Sequence, residues 1–328
     1  MRPLMPPVQT PDNLFHDGNP LTGELGTIVD AEHLNNVQGA VRDAQSELIT
    51  VLTAAGINVD PAKQNQLLTA LKALLLSRSN PFADIKSDGA AAIATALSNL
   101  GLGDGTGRLI NVQTFTASGT YTPTTGTKFV IAEVLGGGGG GGSNAATPSS
   151  GAAAGAGGAS GSYAVCKHIP TGPVSVVIGA GGSGGVPTPL GADGSTGGTT
   201  SFGAVSAPGG YGGPKGVAFN NFPTGGNVAT GSAPVSGSVI VSSIGSSGSY
   251  GILYSDSNAT GGGGGSSNYG AGGVAMTINA GGSGTQRGMD ANGYGSGGGG
   301  AVSVHVSTAA SSRGGNGAPG IVIIWEYA

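Results

Sequence analysis

Covalent chemistry would have to come from very few residues. Beyond residue 110 the only acids are Glu133, Asp193, Asp256, Asp290 and Glu326, and the one thiol of the chain is Cys166. Glycoside cleavage needs two carboxyl groups about 5–9.5 Å apart, and these acids are too isolated in sequence to place such a pair. Calcium-binding glycine repeats need an acid at a regular interval, which is absent. Many stretches match G-x-G-x-x-G by chance in so glycine-rich a chain. No lysine stands between a glycine and a Ser or Thr as a phosphate-cradling loop requires. Cys166 lies in the strand-like "SYAVCKHIP" and reads as a small buried hydrophobe. No Cys/His cluster has zinc spacing. The expectation is a protein with no catalytic residues, no metal and no cofactor.

Binding chemistry is better supplied. Four inserts interrupt the glycine runs: "YGGPKGVAFNNFPTGG", "GSSGSYGILYSDSNATG", "SSNYG" and "TQRGMDANGYG". They bring Tyr211, Phe219, Asn220, Asn221, Phe222, Tyr250, Tyr254, Asp256, Asn258, Tyr269, Arg287, Asn292 and Tyr294. Aromatic faces stack on apolar C–H faces while amides satisfy hydroxyls, a combination suited to sugar rings. The competing reading of each residue alone is that it packs a neighbour.

The elements that must hold these residues fall in two parts. Six of the 69 glycines precede residue 101, whereas most charged residues lie in the first 110. Residues 1–29 read as an extended arm with turns. Asp30 or Thr27 then caps a helix whose apolar residues Leu34, Val37, Val41, Ala44, Leu48, Val51 and Ala55 alternate spacings of three and four, an unbroken heptad seam ending at Gly56. Such a stripe suits either one face of a small bundle or a short parallel coiled coil joining chains; its narrowness favours the coiled coil. A second helix is expected from Asp60 and Pro61, as N-cap and first helical residue. Leu67, Leu68, Leu71, Leu74 and Leu75 form its apolar stripe, and Pro81 follows its end. A third, short helix is expected with Ser87 or Asp88 as cap, Ile93, Leu97 and Leu100 buried, and Gly101 as stop. His33 is expected at the surface.

Beyond Gly105 short β segments take over, including "INVQTF", "KFVIAEVLG" and "GPVSVVIGAGG". "AVSVHVS" is a further strand, with His305 structural. The closing "IVIIWEYA" puts Ile321, Ile323, Trp325 and Tyr327 on one face and Val322, Ile324 and Glu326 on the other. A net charge of −4 with scattered basic residues lacks the clustered basic face of a nucleic-acid binder. No stretch is apolar enough for a membrane span. The first residues lack the apolar core of a secretory signal, so synthesis in the cytoplasm without secretion by that route is expected.

The seven glycines Gly136–Gly142 first suggest a flexible linker. Collagen requires a strict three-residue register, which "GAAAGAGGASG" breaks. A strand precedes the run, runs recur at 261–265 and 297–300, and the only tryptophan stands in the last strand. Ordered glycine costs about 0.5–1 kcal/mol per residue more than alanine, and only a dense net of backbone hydrogen bonds offsets this. Three-per-turn extended helices leave their N–H and C=O groups free to pair sideways. The run is therefore expected to be a rod in a packed lattice, with Ser143–Ser150 as an exposed turn.

Several motifs together resemble bacteriophage and prophage tail fibres with a glycine-rich C-terminal domain. In the tip they are "FTASGTYTP", "KFVIAEVLGGGGGGG", "VSVVIGAGGSGG", "GADGSTGGTTSFG", "APGGYGG" and "NGAPGIVIIWEY"; in the front, "LFHDGNPLTGELGTIVDAEHLNNVQGAV" and "FADIKSDGAAAIATALSNLGLG". The resemblance implies a multi-domain fibrous protein. A baseplate-attachment arm would span 1–29 and a helical, coiled-coil stalk 30–110. A glycine-rich β/polyglycine II sandwich tip would span 111–328. It further implies a homotrimer joined along the helical seam, baseplate or tail proteins as partners of the arm, and a virion-tail location. Loops between the glycine helices would contact a bacterial surface polysaccharide or outer-membrane protein. The glycine domain also resembles the tip adhesins of T-even-like phages, which are separate proteins capping a fibre, whereas here the tip is fused to its own stalk, and a short one. Two alternatives stay open: a tailspike-like polysaccharide depolymerase and a purely structural baseplate or spike component.

Overall fold

A computed structural model describes residues 7–75, 82–102, 107–148, 150–305 and 310–328. The chain divides into two compact units, Met1–Asp104 and Gly105–Ala328.

In the first unit the arm turns back on itself. Thr27 N–H donates to the His16 carbonyl at 2.9 Å, and His16 N–H to Thr27 Oγ1 at 2.8 Å. Asp30 is therefore the cap of helix α1 (Ala31–Ala54), its carboxylate accepting the His33 N–H at 2.6 Å. Thr27 is already committed to His16. Gly56, at φ +68°, closes the helix as expected. His33 is partly exposed, as expected, with its ring 5.3 Å edge-on from Phe15 of the arm.

Helix α2 (Gln66–Leu74) starts later than Asp60 and Pro61 suggest. The Gln66 side chain explains the delay. Its Oε1 accepts the Asp60 N–H, and its Nε2 donates to the Asp60 and Lys63 carbonyls, so residues 60–63 are held as a turn. Asp60 caps that turn through the Ala62 N–H. The leucine stripe is exposed within the unit; the fully buried residue of α2 is Ala70, which lies where α1 and α2 pack and Leu52 is also buried. A short helix α3 (Ala83–Ser87), not foreseen, leads into α4 (Ala90–Asn99). Because Ser87 ends α3, the cap of α4 is Gly89 at φ +88°, not Ser87 or Asp88. Leu97 is half-buried, but Ile93 and Leu100 are exposed, since only α3 packs on this helix with any extent. Pro81 lies outside the described residues.

The second unit joins a five-stranded antiparallel sheet to a bundle of extended glycine rods. The sheet order is Leu109–Phe115, Ile321–Tyr327, Phe129–Leu135, Tyr163–His168, Val241–Ser243, so the last strand of the chain sits between the first two long ones. Its alternation is as read from the sequence, but the buried face is Val322, Ile324 and Glu326. These meet Val130, Ala132, Val134, Tyr121, Cys166, Val176 and Phe202 in the main core. Ile323, Trp325 and Tyr327 are on the half-exposed face.

Gly136–Gly142 leaves this sheet as a rod with three-residue periodicity. Its N–H groups donate in turn to three neighbouring segments: Gly136 and Gly139 to Ser162 and Ala159, Gly137 and Gly140 to Gly198 and Ser195, Gly138 and Gly141 to Ala318 and Gly315. Its carbonyls accept from three others: Gly137 and Gly140 from Gly210 and Gly213, Gly138 and Gly141 from Gly182 and Gly185, Gly139 and Gly142 from Gly298 and Ala301. All these bonds are 2.8–3.0 Å. Three residues per turn is the period of a polyproline-type helix, which has no internal hydrogen bonds to compete with such lateral pairing. A Cβ on any of the seven glycines would stand 1.9–2.3 Å from a neighbouring carbonyl oxygen. Glycine is thus required throughout by close approach, and the whole run is buried. Peripheral rods need glycine only on their inner faces: in Gly179–Gly185, Ala180 and Ser183 stand at the three-residue interval facing out.

Two local expectations are corrected. Ser143–Thr147 is mostly buried rather than an exposed turn. Ser143 Oγ accepts the Ala192 N–H at 2.6 Å and Asn144 Oδ1 the Ser312 N–H at 2.8 Å, so both side chains close neighbouring rod ends. The exposed part is Pro148 and Ser150. The strand in "AVSVHVS" is Val302–Val304, and His305 is exposed just beyond it.

Candidate functional site

The rods run back and forth, which sorts every turn to one of two ends. At the sheet end the chain enters and leaves the unit: Gly107 N–H bonds the Ala328 carbonyl at 2.7 Å, and Ala328 N–H bonds that of Arg108 at 2.9 Å. At the far end Gly142 lies beside Pro214, Ala156 and Ala301. The segments 186–191, 217–226, 251–260 and 276–287 reverse direction at that level, beside Ser143–Ala146 and Ala152–Ala154.

The thirteen candidate residues do not form one set. Phe219, Asn220, Asn221, Phe222, Tyr250, Tyr254, Asp256, Asn258 and Arg287 belong to far-end turns. Tyr269, Asn292 and Tyr294 lie toward the sheet end, where strands Tyr269–Ala271 and Asn292–Tyr294 pair with Tyr269 opposite Tyr294. Tyr211 sits on the side of a rod, level with Gly139, its ring directed outward.

Several of them are already engaged. The Tyr269 hydroxyl donates to Glu133 Oε2, which also accepts from Tyr163 at 2.8 Å. Burial, followed by the Glu133 hydrogen bond and charge, pushes Tyr163 up to about 12 and raises Tyr269 likewise. Phe222 packs on a second core of Ala152, Ala154, Leu253, Ala259, Ile278, Val302 and Val304. Arg287 pairs through one guanidinium nitrogen with both oxygens of Asp290, at 2.9 and 3.0 Å; Asp290 also accepts the Asn316 N–H. Phe219, Tyr250 and Tyr254 remain exposed large aromatics at this end.

That end carries a four-stranded sheet in the order Thr277–Ile278, Asn258–Thr260, Ile252–Ser255, Thr224–Gly225. One face supplies Leu253, Ala259 and Ile278 to the second core. The opposite face aligns Gly225, Ile252, Thr260 and Thr277 in register. Tyr250 shares it, its ring carbon 3.3 Å from where a Gly225 Cβ would stand, and Tyr254 follows at the bulge between Leu253 and Ser255. This small sheet was not foreseen, because its strands are two to four residues long and carry serine, threonine and glycine.

Glu133 and Glu326 sit apart from these turns, in the main sheet. Glu326, fully buried, accepts from the Tyr121 hydroxyl at 2.6 Å, Thr124 N at 3.0 Å, Thr124 Oγ1 at 2.6 Å and Gln113 Nε2 at 3.3 Å. Burial pushes its pKa up, but the hydrogen bonds from Thr124 and Tyr121 outweigh this and leave it below the usual carboxylate value. Cys166 is buried and its thiol raised to about 11 by that burial, which suits the packing role expected of it. Among the described residues no group of three or more His, Cys, Asp and Glu is placed to hold a metal ion. None of the described helices is long and apolar enough to cross a membrane.

Residues 113–327 match a family model described as a glycine-rich domain. Over 93 residues the chain is 48% identical to an uncharacterized protein, StfP, of Escherichia coli (strain K12). That alignment covers 28% of this chain and 40% of the relative, so the chain spans less than half of StfP.

Proposed function

The chain belongs to the glycine-rich domain family, and on that premise we propose that it is a tail fibre protein of a phage or phage-tail-like particle. In this reading the N-terminal part attaches to the baseplate. The far-end turns of the tip touch a receptor on the host cell surface, a glycan or an outer-membrane protein. The observation that carries it is the sorting of turns: the chain enters and leaves the tip at one end, and the opposite end is built of inserts bearing exposed aromatics and amides. Rigid scaffolds place contact residues in such loops. The similarity to StfP supports the assignment to a prophage-type fibre.

Helix α1 supports assembly. Leu34, Val41 and Leu48 are 57, 52 and 47% exposed on a seam that repeats at heptad spacing. Burying that seam against two further copies gives the homotrimer expected of a fibre stalk. The fibre reading places the protein in the virion tail. The isolated acids favour an adhesin over an enzyme, for Glu326 is committed to Tyr121, Thr124 and Gln113 and Glu133 to two tyrosines.

The test is retention of fluorescently labelled full-length chain on a panel of bacterial strains. Retention on a subset is expected, abolished by shortening residues 217–223 and unaffected by Asn292→Ala. Retention on no strain favours the structural-component alternative, and released oligosaccharide favours the depolymerase; either result overturns the proposal.

A further inference from the structure

We infer that the receptor ligand is an uncharged polysaccharide chain lying along the stripe Tyr250–Ile252–Tyr254 at the far end of the tip, an inference that rests on the receptor-binding reading above. Three observations lead to it.

The first is the spacing of the stripe. Tyr250, Ile252 and Tyr254 are the accessible residues of 250–254, while Gly251 and Leu253 between them are buried toward the Ala154 side, and a bulge between Leu253 and Ser255 turns the strand at Tyr254. The two rings are four residues apart in the chain, with Ile252 between them. That spread suits several linked sugar rings, not one small molecule. The rings are free to stack: Tyr250 is 51% exposed and Tyr254 48%. Tyr250 lies low over the backbone because residue 225 is glycine.

The second is the chemistry beside the stripe. In register with Ile252 stand Gly225 on one side and Thr260 and Thr277 on the other, with the two threonine hydroxyls 3.1 Å apart. A hydroxyl both donates and accepts, and the aligned positions on this face carry no charged side chain. An anionic polymer would find no cation here. An aromatic platform edged by hydroxyls matches the alternating apolar and hydroxyl surfaces of a neutral sugar chain.

The third excludes an extended peptide. Peptides recognised by strand addition pair with an open sheet edge. The stripe lies on Ile252–Ser255, an inner strand bonded on both sides to Thr224–Gly225 and Asn258–Thr260. Its backbone is already used, so a ligand meets side chains alone.

The experiment uses full-length chain on a strain that retains it, with the purified surface polysaccharide of that strain as competitor. Tyr250→Ala with Tyr254→Ala should lower retention at least tenfold, and so should Thr277→Glu, which adds bulk and charge to the face without removing a core side chain. The polysaccharide should compete for the unaltered chain. Periodate treatment of the cells should abolish retention, and protease treatment should leave it. Unchanged Trp325 fluorescence in the variants verifies the fold. Retention that survives periodate but not protease, or that both variants keep, overturns the sugar stripe and leaves the receptor-binding reading standing. Retention on no strain defeats that reading itself.

Discussion

Replacing Gly139 by alanine puts the lattice to a stringent test. A Cβ there would stand 2.2 Å from the Tyr211 carbonyl oxygen, 2.6 Å from its carbon and 2.8 Å from the Gly210 oxygen. All are backbone atoms, so no side chain can swing aside. Relief requires the rods containing Gly139 and Tyr211 to part by about 1 Å. The bonds that hold them, Gly210 N to Gly137 O at 2.9 Å and Gly213 N to Gly140 O at 2.8 Å, would stretch well beyond hydrogen-bonding range. Each buried group left without a partner costs about 1–3 kcal/mol. The gain from reduced unfolded-state freedom on replacing glycine by alanine is only about 0.4–1 kcal/mol. The net expected loss is about 3–5 kcal/mol, or a fall in melting temperature of roughly 6–20 °C for a unit of this size. Gly263 supplies the control, being in a rod but with nothing nearer to its would-be Cβ than Ser249 Oγ at 3.5 Å. Gly172, in a turn, has nothing within 4 Å. Thermal unfolding followed by fluorescence of Trp325, the sole tryptophan, should show Gly263→Ala and Gly172→Ala within about 1 kcal/mol of the parent. If Gly139→Ala melts with these controls, the close-packed account of Gly136–Gly142 is wrong.

Other outcomes follow from the same contacts. Glu326→Ala strips a buried charge from Tyr121, Thr124 and Gln113 and should cost about 3–5 kcal/mol in unfolding free energy, with Glu326→Gln losing less. Because hydrogen bonding leaves the Glu326 pKa below its unfolded value, its stabilisation is full above about pH 4.3 and fades as pH falls through the folded value. Acid melts of the parent should therefore be steeper than those of Glu326→Gln. Tyr163 is shifted the other way: with its pKa raised from 10.0 to about 12, its contribution is present below pH 10 and lost as pH climbs toward 12, and spectrophotometric titration should find it ionising late. Val41→Asp with Leu48→Asp should reduce the sedimenting mass from trimer to monomer; a monomeric parent would refute the seam. Cys166 should resist aromatic disulfide reagents until the protein is unfolded.

Local signals in the sequence carried the features whose causes are local. Helix α1 and its Asp30 cap were legible because i+3 and i+4 neighbours and caps act within a turn or two. Asp60–Pro61 misled because those residues start turns as readily as helices, and the deciding contact comes from Gln66. The leucines of α2 read as an apolar stripe, and periodicity marks such a face without saying what covers it; within the unit they are exposed. Glu326 gave no hint of its burial, since Tyr121 and Thr124 lie about two hundred residues away in the chain. The rod reading of Gly136–Gly142 followed from hydrogen-bond satisfaction, but the division of the aromatic inserts between two ends did not. That division depends on the direction of each rod, and so on how many reversals precede it. The sugar stripe was split for the same reason: Tyr250 and Tyr254 were visible as aromatics, whereas Gly225, Thr260 and Thr277 join them only through pairing.

Hydrogen–deuterium exchange of the amides of Gly136–Gly142 in the full-length protein tests most directly whether the glycine run is the buried centre of a folded tip. Every one of these N–H groups is bonded to a neighbouring segment at 2.8–3.0 Å, so the run should exchange only with global unfolding, far slower than the turn at Thr171 and Gly172. Exchange at the rate of a free glycine chain would make the run a linker and contradict the account.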